Sequence, residues 1–268
     1  IDQQKAVIAR LLVDLFAEHG IPVKGVYERS DVDVRRKEGL TEYKGLLTGI
    51  EPPDHIELGS GSLRYRVDVH NGHKTGTYLD QRPNHHLLSH LLADQTQPKL
   101  LNLFSYTGRF GLGITGDVIN VDASHEALTL AESNYQLSGI PEDKAEFIQA
   151  DVFDYLHDQV TEGAQYDVII CDPPKFAHNA GQVERAARGY KDLNLNCFKL
   201  LKSGGYLMTF SCSGAITQDL FQKIVFGALE DSGRQAQIIQ HLGPGPDHPV
   251  ALTFPEGAYL KGLLLRVY

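Results

Sequence analysis

The chain has 268 residues, 42% of them hydrophobic and 22% charged, and a formal net charge of −9. That length suits one large domain or two smaller ones, and the composition is that of a soluble globular protein. No run approaches the roughly 18 apolar residues of a membrane span. The acidic balance also lacks the basic footprint of a nucleic-acid binder, so any RNA contact must rest on a local patch or a partner module. Cys171, Cys197 and Cys212 have neither metal-ligand nor disulfide-framework spacing, and no signal peptide opens the chain, so a reduced cytoplasmic protein is expected. The chain opens at Ile1 rather than Met, as a fragment would.

Residues 1–19 place Ala6, Val7, Leu11, Leu12, Leu15 and Phe16 at helical spacing, and Gly20-Ile21-Pro22 stops the run. Short β segments follow: VKGVYER, a charged loop over 31–39, then YKGLLTG, HIEL, LRYRVDVH and HKTGTYL. Asn71-Gly72 between the last two predicts a two-residue hairpin. Residues 1–82 therefore read as a small α+β hairpin domain. Within it Arg35-Arg36-Lys37 is a basic triplet, whose plainer interpretation is a solvated loop. Residues 83–95 predict a helix with Pro83 in its first turn.

From Lys99 the pattern alternates strand and helix, which makes 83–268 a doubly wound, Rossmann-like parallel α/β domain. Strands are expected at KLLNLF, DVINVD, AEFIQAD, YDVIICD and GYLMTFSCS. A long helix over about 184–202 should end at Ser203-Gly204-Gly205, and QAQIIQHL and YLKGLLLRVY close the sheet.

Ligands bind at the carboxyl edge of such a sheet. The first strand runs into Phe104-Ser105-Tyr106-Thr107-Gly108, then Gly111 and Gly113. This small-residue loop suits a nucleotide-like cofactor, but its GxxGxG spacing is not the dinucleotide GxGxxG. Asp122 ends the next strand, placed for ribose hydroxyls, and Asp151 the third, placed for an adenine amino group; each could instead be a helix N-cap. The fourth strand ends in Asp172-Pro173-Pro174, where two prolines force the chain out of the sheet and deliver Lys175 and Phe176 to its edge. Cys212, between two serines at the fifth strand end, sits where amide dipoles lower a thiol pKa. Its plainer interpretation, which fits Cys171 and Cys197 better, is a small buried hydrophobe.

FSYTG, VDAS, ADVFD, DPPKF and TFSCSG, with the upstream HKTGTYLDQR and VDVRRKEGL and the later DHPV and PEGAYLKG, resemble the RlmI family over nearly the whole chain. Members of that family are bacterial S-adenosylmethionine (SAM)-dependent methyltransferases that make 5-methylcytosine in 23S rRNA. They carry an N-terminal PUA RNA-binding domain, and the resemblance implies that this sequence starts after it. The resemblance implies SAM as cofactor and 23S rRNA as partner, with no metal and no membrane, and leaves a homodimer open. Phe104 to Gly108, Asp122 and Ala123 would hold the methionine and ribose, and Asp151 and Val152 the adenine. Asp172 and Pro173 would line the junction of cofactor and base, with Asp80 and Arg82 approaching the amino-acid end of SAM. Pro174, Lys175, Phe176, Arg35 and Arg36 would contact RNA.

One departure stands out. Between Asn102 and Asp122 the chain is about a helical turn shorter than that family, so either the helix after the glycine loop is truncated or residues are missing from the sequence there. The implied chemistry is addition of the Cys212 thiolate to carbon 6 of cytosine, with Asp172 on the N3 and amino edge. The general base is unassigned, since Lys175 follows Pro174 where some relatives in chemistry have a second cysteine. Competing functions are amino-group methylation through Asp-Pro-Pro without a cysteine, dinucleotide-dependent oxidoreduction, and a non-catalytic RNA scaffold.

Overall fold

The computed structural model describes residues 2–32, 34–60 and 63–268. Ile1 and Asp33, within the expected first helix and charged loop, lie outside them. The chain divides into two compact units, one of Ile1–Leu58 with Arg66–Tyr78 and the other of Gly59–Tyr65 with Leu79–Tyr268.

In the first unit, helix α1 (Lys5–Glu18) precedes an antiparallel pair of strands, β1 (Gly25–Ser30) and β2 (Tyr43–Gly49), with a bulge at Val26/Tyr27. The charged loop contains a single helical turn, α2 (Val34–Lys37). Strands β3 (Ile56–Ser60) and β4 (Leu63–Val67) pair with each other.

The hairpin expected at Asn71-Gly72 does not form. β4 ends at Val67, residues 73–77 are turns and bends rather than a strand, and a 3-10 turn spans Leu79–Gln81. The cause lies just upstream. The Asp68 carboxylate accepts the backbone N–H groups of His70 and Asn71, both at 2.8 Å, and this side-chain turn folds the chain away from a ladder. Gly76, at φ +96°, completes the bend where a Cβ would collide with the Asp68 carbonyl.

The second unit is a three-layer α/β structure. Its helices are α3 (Arg82–Leu91), α4 (His125–Leu137), α5 (Val152–Glu162), α6 (Val183–Leu200) and α7 (Gln218–Ser232). Its strands are β5 (Lys99–Leu103), β6 (Asp117–Asp122), β7 (Ala145–Gln149), β8 (Tyr166–Cys171), β9 (Leu201–Ser211), β10 (Ala236–Leu242) and β11 (Lys261–Val267). They form one sheet in the order β10-β11-β9-β8-β5-β6-β7. Neighbours from β9 to β7 are parallel, as alternation predicts, while β11 runs antiparallel between β9 and β10. The sheet is therefore mixed rather than wholly parallel.

Two local departures matter. Helix α6 stops at Leu200 and β9 begins at Leu201, so Ser203-Gly204-Gly205 is not a helix cap. It lies in β9 where the register to β8 shifts, with Gly204 at φ +86°. Between β5 and β6, residues 104–116 contain only turns. No helix forms in this segment, and Phe110, Leu112 and Ile114 are buried from a turn backbone.

Phe198, Leu193 and Cys197 of α6 and Phe221 of α7 pack on Ile169, Cys171 and Leu207, all fully or almost fully buried. Among the described residues no helix is long and apolar enough to cross a membrane. Phe198→Ala should cost about 3–5 kcal/mol, seen as a lower urea midpoint at unchanged slope. A loss below about 1 kcal/mol would mean that α6 does not anchor this core.

Candidate active site

The carboxyl ends of β5, β6, β8 and β9 each deliver polar side chains. At β8 the chain turns out through Asp172, Pro173 and Pro174. Gln81 Nε2 donates to Asp172 Oδ2 at 2.9 Å. Gln81 is itself oriented by buried Asn84, whose Nδ2 donates to Gln81 Oε1 at 2.6 Å and to the Gly243 carbonyl at 3.1 Å. Asn84, Gln81 and Asp172 thus form a directed chain that presents an N–H to the carboxylate.

Ser211 ends β9, and a turn in which Ser213 N donates to Ser211 Oγ at 3.3 Å follows it. Ser211 and Ser213 are fully buried, and Cys212 is half-buried. Ser211 Oγ donates to the Tyr190 hydroxyl at 2.9 Å, and that hydroxyl lies 3.0 Å from Ser213 Oγ. Ser213 Oγ also accepts the N–H groups of Phe176 and Ala177, at 3.1 and 3.2 Å. The serines therefore tie the β9 end to the segment after Pro174. Cys212 Sγ is left 3.9 Å from the Pro173 carbonyl. Phe176 packs on Tyr190, with ring centroids 4.8 Å apart, so one aromatic face is partly taken up inside the fold. Pro173 is buried, while Pro174 and Lys175 are exposed.

Sequence reasoning missed Gln81, Tyr190, Tyr259 and Lys261. Lys261 opens β11 directly across from Ser211, is 6% exposed, and donates to the carbonyls of Ser213 at 2.7 Å and Ile216 at 2.6 Å. Burial pulls its pKa down to about 8. Tyr259 donates its hydroxyl to buried Asp80, and burial together with that carboxylate pushes the phenol up. Only the position of an ionisable residue at a strand start could have flagged Lys261. Cys171 has its thiol pushed well up by neighbouring Cys197 and by burial, as suits a core residue.

On the opposite side of the strand ends, Asp122 accepts the backbone N–H of Tyr106 at one oxygen and of Ser124 at the other, both at 2.9 Å. Phe104 and Tyr106 adopt φ of +56° and +47°, a strained arrangement for aromatic residues. The Ser105 hydroxyl is buried without a partner. Thr107 is buried, and Ala123 is exposed.

Asp151 is an N-cap, accepting from Phe153 N at 2.8 Å and Asp154 N at 3.3 Å, and Val152 points into the core. Arg82 sits on Asp247 at 3.0 Å. In the first unit, Arg35 pairs with Asp2 at 2.8 Å and Arg36 with Glu42 at 2.8 Å. Among the described residues no cluster of histidine, cysteine and carboxylate side chains could hold a metal ion.

A family model described as S-adenosylmethionine-dependent methyltransferase matches residues 41–266. Curated relatives similar to this chain include the ribosomal RNA large subunit methyltransferase I of Aeromonas salmonicida, 45% identical over 98% of this chain and 65% of the relative. That of Tolumonas auensis is 48% identical over 91% and 62%, and that of Escherichia coli 43% over 99% and 66%. The chain thus spans about two thirds of the length of these relatives. Among solved structures, a candidate SAM-dependent methyltransferase from Streptococcus mutans superposes with a TM-score of 0.80 at 20% identity, covering 98% of this chain and 66% of that one. Trm5b from Pyrococcus abyssi gives 0.68 at 15%, covering 99% and 69%. These likenesses establish the shared fold.

Gly108 stands at φ +75°, with the Tyr135 ring 2.8 Å from where a Cβ would lie. Gly108→Ala should lower stability by about 1–2 kcal/mol, and an unchanged thermal midpoint would contradict this account of the loop.

Proposed function

Because this chain belongs to the S-adenosylmethionine-dependent methyltransferase family, we propose that it is the catalytic part of an enzyme that methylates carbon 5 of a cytosine in 23S rRNA through a covalent cysteine adduct. The observation that carries this reading is the pairing of two neighbouring strand ends, with Asp172 on β8 and Cys212 on β9, and Cys212 Sγ 3.9 Å from the Pro173 carbonyl. The names of the relatives, ribosomal RNA large subunit methyltransferase I, support a ribosomal RNA substrate.

The residues at the β5 and β6 ends fit SAM. The unpartnered Ser105 hydroxyl and the strained Phe104–Gly108 loop suit its amino-acid end. Each Asp122 oxygen accepts one backbone N–H and keeps a lone pair for a ribose hydroxyl. Exposed Ala123 would lie beside the ribose, the exposed Asp151 cap and the Val152 backbone would meet the adenine, and Pro173 the junction with the base. Asp80 and Arg82 would serve the amino-acid end only by sharing or exchanging their present partners, Tyr259 and Asp247. Bound there, SAM supplies an electrophilic methyl group.

Carbon 5 of cytosine is a poor nucleophile. Addition of the Cys212 thiolate to carbon 6 gives carbon 5 enamine character, so that carbon 5 would take the sulfonium methyl group as its carbon–sulfur bond breaks; a base then removes the carbon-5 proton, and the carbon–sulfur bond to Cys212 breaks to release the thiolate. Asp172, held by Gln81, would orient the N3 and amino edge of the base. A base in folded RNA must be unstacked to reach this depth. Pro174, Lys175 and the outer face of Phe176 would receive it, with Arg35 and Arg36 of the first unit as RNA contacts.

Cys212→Ala should abolish methylation of 23S rRNA, scored at the mapped nucleotide, while SAM affinity stays within about twofold. Retained activity would sink the nucleophile assignment and favour amino-group methylation through Asp172. Gln81→Leu should lower kcat about tenfold, the worth of one net hydrogen bond, with SAM affinity unchanged. A kcat equal to that of the native chain would remove Gln81 from the mechanism.

A further inference from the structure

Lys261 is a buried cation with no acidic partner: among the described residues no carboxylate pairs with it, and its hydrogen bonds go to two neutral carbonyls. An ammonium removed from water is costly, and carbonyl dipoles offset only part of that cost. The two carbonyls belong to Ser213 and Ile216, which bracket the turn following Cys212, so the ammonium is anchored to the backbone immediately after the cysteine. The antiparallel register fixes this placement, since Lys261 is the cross-strand partner of Ser211.

Several ionisable groups of the described residues lie near Cys212 or Lys261. Lys261 comes from β11, Tyr259 from the segment before it, and Tyr190 from α6. Lys175, from the segment after β8, faces Lys261, and Asp80 stands behind Tyr259 as its acceptor. Asp172, at the β8 end, faces Cys171 and accepts from Gln81. Both phenols are pushed up by burial and so stay neutral hydroxyls near neutral pH. Of the groups facing the ammonium, Cys212 alone can become an anion.

We propose that Lys261 is the counter-charge of the Cys212 thiolate, a positioning residue that forms with it an ammonium–thiolate pair at the end of β9. The proposal deepens the reading of Cys212 as nucleophile and rests on it for its meaning in catalysis. A nearby cation favours the ionised thiol, just as the thiolate favours the protonated amine. The effect is fullest while Lys261 is protonated and fades as pH rises through about 8.

The test is the pH dependence of iodoacetamide alkylation of the chain, with neither SAM nor RNA added, and the modified peptide mapped by mass. Cys171 and Cys197 are fully buried, so Cys212 supplies the signal. The native chain should show a midpoint at least about one pH unit below the roughly 8.5 of a free thiol. Below the midpoint, each unit means about a tenfold larger thiolate fraction. Lys261→Met should move the midpoint to 8.5 or above, and Lys261→Arg should keep it within about half a unit of the native value.

A native midpoint at or above 8.5 overturns the proposal by itself, as does a folded Lys261→Met chain with the native midpoint. Should Lys261→Met fail to fold by circular dichroism, the native midpoint and Lys261→Arg decide. The nucleophile reading fails separately, through turnover by Cys212→Ala.

Discussion

Everything at the candidate site depends on the hydrogen-bonded latch among Tyr190, Ser211 and Ser213. Parallel strands β8 and β9 end side by side, and the chain leaves the sheet at both ends. Two departing loops would ordinarily be mobile relative to each other. Here a hydroxyl from α6 joins both serines, and Ser213 takes two backbone N–H groups from the segment following Pro174. The latch is fully buried, where hydrogen bonds are strong and unsatisfied groups are expensive. Past the strand end the chain turns and leaves Cys212 Sγ 3.9 Å from the Pro173 carbonyl.

The other members of the site are braced in the same manner, each by an element distant in sequence. Asp172 is held by Gln81, Gln81 by Asn84, and Asn84 by the Gly243 carbonyl. Lys261 is held by β11 pairing with β9. The acid, the thiol and the amine are therefore fixed by backbone register and buried amides more than by one another. Such preorganisation is what a reaction needs when its geometry must be ready before substrate arrives.

Much of the architecture was legible in the sequence because it rests on local patterns. Apolar runs gave the buried strands, helical spacing gave α1, Pro83 marked the first turn of α3, and the prolines after Asp172 marked the strand exit. The Asn71-Gly72 signal failed because the side chain of Asp68 competed for the same backbone N–H groups. The stop expected at Ser203-Gly204-Gly205 failed because glycine also serves a register shift inside a strand. Gln81 and Lys261 were illegible for a different reason: their partners lie 91 and 48 residues away, and only sheet topology brings them together. Asp151 shows the opposite ambiguity, since one carboxylate can cap a helix and still keep an oxygen for a ligand.

The central claim is that the ends of β8 and β9 form one pocket in which Cys212 bonds covalently to a cytosine. It is tested most directly by trapping. Substrate RNA carrying 5-fluorocytidine at the target nucleotide cannot lose a proton from carbon 5, so an adduct formed in the presence of SAM should persist through denaturing electrophoresis. The account predicts a denaturation-stable protein–RNA complex whose linked peptide contains Cys212. Methylation of the unfluorinated RNA, with no such complex from its fluorinated counterpart, would contradict it.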